Sequence, residues 1–158
     1  MGLFLKRKNQ IFSPVENGIV KTLNSLNDGV FSEGMLGKGF VVQQNDGNIY
    51  SPIKGTIISV FPTKHAYGIQ NKNGLIVLVH IGIDTVSLNG EGFKSFVNIG
   101  DNVNQGDLIA SVDLDSLKKH QIISDVICII TSDSKIQPQE LNIKINKKVN
   151  KNDLILDI

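Results

Sequence analysis

The chain has three histidines, and two of them stand where chemistry could be done. His80 closes the apolar run Leu75-Ile76-Val77-Leu78-Val79, just before Ile81 and Gly82. Strand alternation puts Ile76, Leu78 and His80 on one face and Leu75, Val77, Val79 and Ile81 on the other. A nearly all-apolar strand thus delivers one imidazole at its end, where Gly82 permits close backbone approach and Asp84 adds a charge. His65 sits in Thr63-Lys64-His65-Ala66-Tyr67-Gly68-Ile69, and alternation there places Thr63, His65, Tyr67 and Ile69 on one face. If these strands pair, two imidazoles and a hydroxyl meet on an apolar surface. Taken alone, a histidine beside a hydrophobic strand is more often a satisfied structural residue. Two of them in strand context put the functional and structural readings on an equal footing. His120, in a polar helix-like segment, reads as a surface residue.

Imidazole suits phosphoryl carriage, because it is a neutral nucleophile whose pKa lies near neutrality. A second imidazole can stabilise the added negative charge by hydrogen bonding. Apolar surroundings exclude water and offer a docking face. Other chemistries lack their signatures: there is no G-x-S-x-G elbow and no P-loop around Gly34, Gly37 and Gly39, which read as backbone turns.

The elements that must position these residues are strands. Apolar, strand-like runs recur at 39–44, 53–60, 75–83, 108–112, 126–131 and 154–158, with Asp46-Gly47 and Asn73-Gly74 as hairpin-type turns. One helix-like stretch, 113–122, has Asp113 or Asp115 to cap it and Lys118, Lys119 and His120 at its end. The predicted fold is all-β, an antiparallel sandwich or barrel-sandwich with one or two short helical segments. Two internal echoes support it. Ser13-Pro14-Val15 with Gly18-Ile19-Val20 resembles Ser51-Pro52-Ile53 with Gly55-Thr56-Ile57, and Val103–Ile109 resembles Val149–Ile155.

At 158 residues, 41% of them hydrophobic, the chain fits one domain with a real core, placed at 13–158. Residues 1–12 read as a flexible basic and apolar tail, with weak contact to anionic lipid as its functional reading. A net charge of +1 and a single arginine argue against nucleic acid. Cys128 is the only cysteine and lies in an apolar run, so it reads as a buried thiol in a reducing, cytoplasmic setting. No apolar run approaches the roughly 20 residues of a membrane span, and the N-terminus does not read as a signal peptide. A monomer is expected.

The stretch His80-Ile81-Gly82-Ile83-Asp84-Thr85-Val86, then Leu88, Gly90 and Glu91-Gly92-Phe93, resembles the core signature of the glucose-type enzyme IIA family of the bacterial phosphoenolpyruvate-dependent sugar phosphotransferase system. Thr63-x-His65-Ala66, Ser51-Pro52-Ile53-x-Gly55-Thr56, Gly100-Asp101-x-Val103-x-x-Gly106-Asp107 and Val30-Phe31 before Gly37-x-Gly39 also fit, so the resemblance covers nearly the whole chain. It implies a β-sandwich with a shallow active-site depression, in which His80 accepts a phosphoryl group on Nε2 from the histidine phosphocarrier protein. His80 would then pass the group to a cysteine on the IIB domain of a sugar permease. By the same resemblance His65 stabilises the phosphoryl group, Thr63 supplies a hydrogen bond, and the Gly82 carbonyl orients the His80 ring. Asp28 and Asp84 would face a partner's basic residues. Val30, Phe31, Met35, Leu36, Phe61, Leu78 and Val86 would form an exposed hydrophobic collar. The family often has Asp-Pro-Val-Phe where this chain has Asp28-Gly29-Val30-Phe31, a departure that bears on partner selectivity. The resemblance implies no required cofactor. The family is known for regulatory complexes with target proteins, and zinc could bind His65 and His80 only with a partner's ligand.

Two other classes share features of this sequence. A biotin or lipoate carrier would suit the Gly-Asp turns but needs a lysine to modify on a hairpin, commonly between hydrophobic neighbours as in Met-Lys-Met, and nothing of that kind appears in this sequence. A zinc-dependent peptidase on a β-sandwich usually shows a His-x-His pair. Leu78 stands where its first histidine would be.

Overall fold

The long apolar runs become central strands because both of their faces are covered, as continuous hydrophobic patterning requires. The structure is a computed structural model and describes residues 9–26, 28–31, 34 and 36–158. Among these, the strands are β1 (Gln10–Phe12), β2 (Gly18–Thr22), β3 (Gly37–Gln43), β4 (Asn48–Tyr50), β5 (Gly55–Val60), β6 (Ala66–Gln70), β7 (Ile76–Ile81), β8 (Phe93–Ser95), β9 (Asn102–Val103), β10 (Leu108–Val112), β11 (Val126–Thr131), β12 (Lys148–Val149) and β13 (Leu154–Asp157). One sheet runs β12-β2-β3-β11-β7-β6-β5-β9, a second β4-β10-β8, and β1 pairs with β13. Among the described residues, helical structure is confined to α1 (Leu114–Lys119) and two short 3-10 turns, Leu23–Leu26 and Thr85–Leu88. The all-β expectation therefore holds. Asp113 caps α1 through its side chain, which accepts from the amides of Asp115 and Ser116.

Burial along β7 alternates as the sequence requires: Val77, Val79 and Ile81 are buried and Ile76, Leu78 and His80 are half-buried. The buried set joins the main core with Phe40, Val42, Val126, Cys128 and Ile130. On the opposite face of the same strands lies a smaller cluster of Leu23, Phe31, Val41, Ile127 and Ile129, with Leu26, Leu78 and Ile83 packed against it. Cys128 is buried, and burial pushes its thiol pKa up, which keeps it protonated.

The two sequence echoes are repeated structural units. Ser13 and Ser51 each donate a hydroxyl to the carbonyl two residues on, both at 2.7 Å. Asp107 accepts the amide of Asn104 at 2.8 Å, and Asp153 accepts that of Asn150 at 2.7 Å. Val103 pairs with Gly55, and Val149 with Gly18. The halves are also tied reciprocally: Phe12 donates its amide to the Pro52 carbonyl, and Tyr50 donates to that of Pro14.

Two expectations need correction. Residues 9–12 are not part of a tail. Asn9 and Ile11 are buried, and β1 pairs with β13, because Ile11 completes the core beside Leu156. The rest of the expected tail, residues 1–8, lies outside the described residues. Asn73-Gly74 does turn the β6–β7 hairpin. Asp46-Gly47 instead leads from β3 in the large sheet to β4 in the three-stranded one, so it is a crossover corner and not a hairpin.

Candidate functional site

β7 lies between β6 and β11, and His80 is opposite Ala66 on one neighbour and Ile127 on the other. His80 therefore points to the face of the smaller cluster, where the Phe31 ring packs on it at 4.9 Å between centroids. His65 is almost fully buried. Its ring meets that of His80 edge-on, 4.9 Å between centroids and 81° between planes. Phe61 and Phe93 approach His65 at 5.5 and 6.5 Å, also edge-on.

The sequence expected Thr63 and His65 on a strand face shared with Tyr67. The structure places both in the turn before β6, where Lys64 has a left-handed φ of 60°. That turn breaks the alternation, so Tyr67 and Ile69 enter the main core while His65 meets His80. The His65 carbonyl accepts the Ile81 amide at 2.7 Å, which ties the turn to the end of β7.

The ring nitrogens have defined partners. His80 Nδ1 lies 2.9 Å from the Gly82 carbonyl oxygen. A carbonyl can only accept, so Nδ1 carries the hydrogen and Nε2 keeps its lone pair. Gly82 has φ 75°, and a Cβ there would meet the Ile123 carbonyl oxygen at 2.6 Å and Thr85 Cγ2 at 2.5 Å. Glycine is therefore required at this position. The Thr63 hydroxyl is 2.5 Å from His65 Nδ1. Burial pushes the His65 imidazole below its ordinary pKa. The His80 imidazole is pushed down to about 4, mainly by burial and then by the neighbouring His65, against the Gly82 carbonyl and the charge of Asp28, which raise it. Near pH 7 both rings are neutral.

The residues assigned to partner contact divide into two groups. Val30, Leu36, Phe61 and Val86 are exposed, as is Asp84. Phe31, expected on the exposed rim, is instead only 8% exposed, because its ring fills the gap between His80 and the smaller cluster. Leu78 is half-buried in that cluster, and Met35 lies outside the described residues. Asp28 positions Phe31 by accepting the amides of Val30 and Phe31 at 3.2 and 3.1 Å. Gly29 has φ 78°, an angle closed to proline, so this turn differs in backbone from one that carries Asp-Pro-Val-Phe. His120 lies on the surface, 3.3 Å from Glu91.

Among the described residues, no group of three or more His, Cys, Asp or Glu side chains converges as a metal site. His65 and His80 each have one ring nitrogen committed to Thr63 or Gly82, so the pair offers two donors of the four that zinc takes. No helix among the described residues is long and apolar enough to cross a membrane.

The backbone of Ile123 and Asp125 also holds the site, accepting the amides of Ile83 and Gly82. No side-chain signal in the sequence could have revealed this.

Comparison with known proteins identifies the family. Residues 9–136 match the family described as phosphoenolpyruvate-dependent sugar phosphotransferase system, EIIA 1. The chain is 44% identical over 116 residues to the PTS system glucose-specific EIIA component of Mycoplasma capricolum, spanning 73% of this chain and 75% of that one. It is 40% identical over 148 residues to the PTS system glucose-specific EIICBA component of Staphylococcus saprophyticus, of which it spans only 21%. The solved structure of the glucose permease IIA from Mycoplasma capricolum superposes with a TM-score of 0.86 at 37% identity, covering 99% of each chain. The zinc peptidase reading finds no support in these matches. The chain belongs to the EIIA 1 family of the phosphoenolpyruvate-dependent sugar phosphotransferase system, whose EIIA components are phosphotransferases in sugar uptake.

Proposed function

We propose that His80 is the phosphoryl carrier. Its Nε2 attacks the phosphorus of the phosphorylated histidine phosphocarrier protein, the donor's phosphorus–nitrogen bond breaks, and a bond to Nε2 forms. The group then passes to a cysteine thiolate of a permease IIB domain, and His80 returns as neutral imidazole. The observation that carries this reading is the hydrogen bond from His80 Nδ1 to the Gly82 carbonyl, which leaves Nε2 unprotonated. The low pKa supports it, because the ring stays a nucleophile at neutral pH. As phosphorylation makes the ring cationic, the Gly82 carbonyl and Asp28 offset the new charge.

His65 serves as hydrogen-bond donor to the phosphoryl oxygens. With the Thr63 hydroxyl donating to Nδ1, His65 keeps its hydrogen on Nε2. The exposed Val30, Leu36, Phe61 and Val86 supply the apolar rim from which a partner excludes water. Met35 belongs to the same rim by family resemblance, and Asp28 and Asp84 steer basic partners. The IIB assignment draws on the Staphylococcus saprophyticus relative, whose name puts A, B and C parts in one chain. Relatives named for glucose make that sugar the first to test. Regulatory target proteins, zinc completed by a partner's ligands, a cytoplasmic location, a monomeric state and weak lipid contact through residues 1–8 remain part of this reading.

The test is labelling from phosphoenolpyruvate with the two general phosphotransferase proteins. Wild type should take up one acid-labile phosphoryl group and His80→Gln none. Normal labelling of His80→Gln would overturn the assignment.

A further inference from the structure

Gly82 supplies the acceptor that sets the His80 tautomer, yet glycine is the residue least able to hold a peptide plane by itself. Something else must keep its carbonyl aimed at Nδ1. Every backbone polar group from the Ile81 amide to the Ile83 amide has a partner. The Ile81 amide donates to His65, the Gly82 amide to Asp125 at 2.8 Å, and the Ile83 amide to Ile123 at 3.2 Å. The Gly82 carbonyl accepts from His80. The Ile81 carbonyl accepts the Thr85 hydroxyl at 2.7 Å. Apart from the His80 ring, Thr85 is the only side chain in this set.

Thr85 is fully buried, unlike its neighbours Asp84 and Val86. The Ile81 carbonyl and the Gly82 amide belong to one peptide unit, so Thr85 and Asp125 hold that unit at both ends. Turning it about Gly82 would break both bonds and swing the next carbonyl away from His80. The Thr85 methyl also lies where a Cβ of residue 82 would fall, so the same side chain closes the space beside the glycine.

We propose that Thr85 is a positioning residue for phosphoryl transfer: its hydroxyl fixes the Ile81–Gly82 peptide, so that the Gly82 carbonyl keeps the His80 hydrogen on Nδ1 and leaves Nε2 free. Without that bond the Ile81 carbonyl is left unsatisfied and the turn can reorient. Imidazole in water favours the Nε2–H form, in which the proposed nucleophilic nitrogen is blocked. The inference rests on His80 as carrier, but its primary readout does not involve transfer.

The experiment records the ring 15N shifts of His80 in unphosphorylated wild type, Thr85→Val, Thr85→Ala and Thr85→Ser, with thermal melts and acceptance rates from the phosphocarrier. Wild type and Thr85→Ser should show the Nδ1–H form. Thr85→Val and Thr85→Ala should show a mixture with Nε2–H and accept phosphate about three- to tenfold more slowly, the loss expected for one hydrogen bond. If Thr85→Val fails to fold, the Ser and Ala pair isolates the hydroxyl. A pure Nδ1–H form in the folded Thr85→Ala protein would overturn the proposal, as would a mixture in Thr85→Ser equal to that in Thr85→Ala. Failure of His80 as carrier would show instead as normal labelling of His80→Gln, with these shifts unaffected.

Discussion

The two faces of β7 are built from the same kind of residue and do different work. Val77, Val79 and Ile81 point into the main core, closed by strands of both sheets and fully shielded from water. Ile76, Leu78 and His80 point the other way and are only half-buried, Leu78 against a smaller cluster that includes Leu23, Leu26 and Phe31, and His80 under the Phe31 ring. On the closed face an imidazole would be inert. On the half-covered face it is desolvated enough to stay neutral and open enough to meet a partner. On the proposed function, chemistry is placed where the hydrophobic cover is incomplete. One strand supplies both faces, so the rigid side holds the reactive side in register.

The comparison can be broken most forcefully by truncating a side chain in the cluster on each face. Ile69→Ala removes a fully buried side chain of the main core and should cost about 2–5 kcal/mol of stability. Phosphate acceptance per folded molecule should stay near wild type. Phe31→Ser should also lower the melting temperature, since the ring is buried, and should in addition slow acceptance per folded molecule, because that ring packs on His80. Thermal melts run beside transfer kinetics separate the two, and equal per-molecule rates in both variants would erase the distinction between the faces. His65→Gln comes next. It should still accept phosphate at His80 but donate to the IIB partner roughly 10²–10³-fold more slowly, the scale set by losing one transition-state hydrogen-bond donor. Single-turnover transfer to the IIB domain measures this, and an unchanged rate contradicts the role. The smallest effect is expected at the exposed rim: Asp84→Ala should slow association with the phosphocarrier at low salt and approach wild type as salt rises. A salt-independent change would mean that Asp84 does not act by steering.

Sequence periodicity revealed the closed face well. The runs 75–83, 108–112 and 126–131 contain β7, β10 and β11, since apolar patterning and burial report the same physics. It also placed His80 on the correct face. It failed at His65, where the left-handed Lys64 breaks the alternation that a strand reading assumes. It failed at Phe31 because exposure there depends on how a loop folds back on a distant strand, which no local pattern encodes. The hold on Gly82 was equally hidden, since Ile123 and Asp125 contribute only backbone carbonyls. Asp46-Gly47 has the residues of a hairpin turn, yet the strand it leads to pairs elsewhere.

The central claim is that His80 carries the phosphoryl group on the nitrogen that the Gly82 carbonyl leaves free. Uniformly 15N-labelled protein, phosphorylated from phosphoenolpyruvate through the two general phosphotransferase proteins, gives the direct test by long-range 1H–15N correlation of the histidine rings. The account predicts that only the His80 ring carries phosphorus, on Nε2 with hydrogen retained on Nδ1. Phosphorus on His80 Nδ1, or on His65, would contradict it.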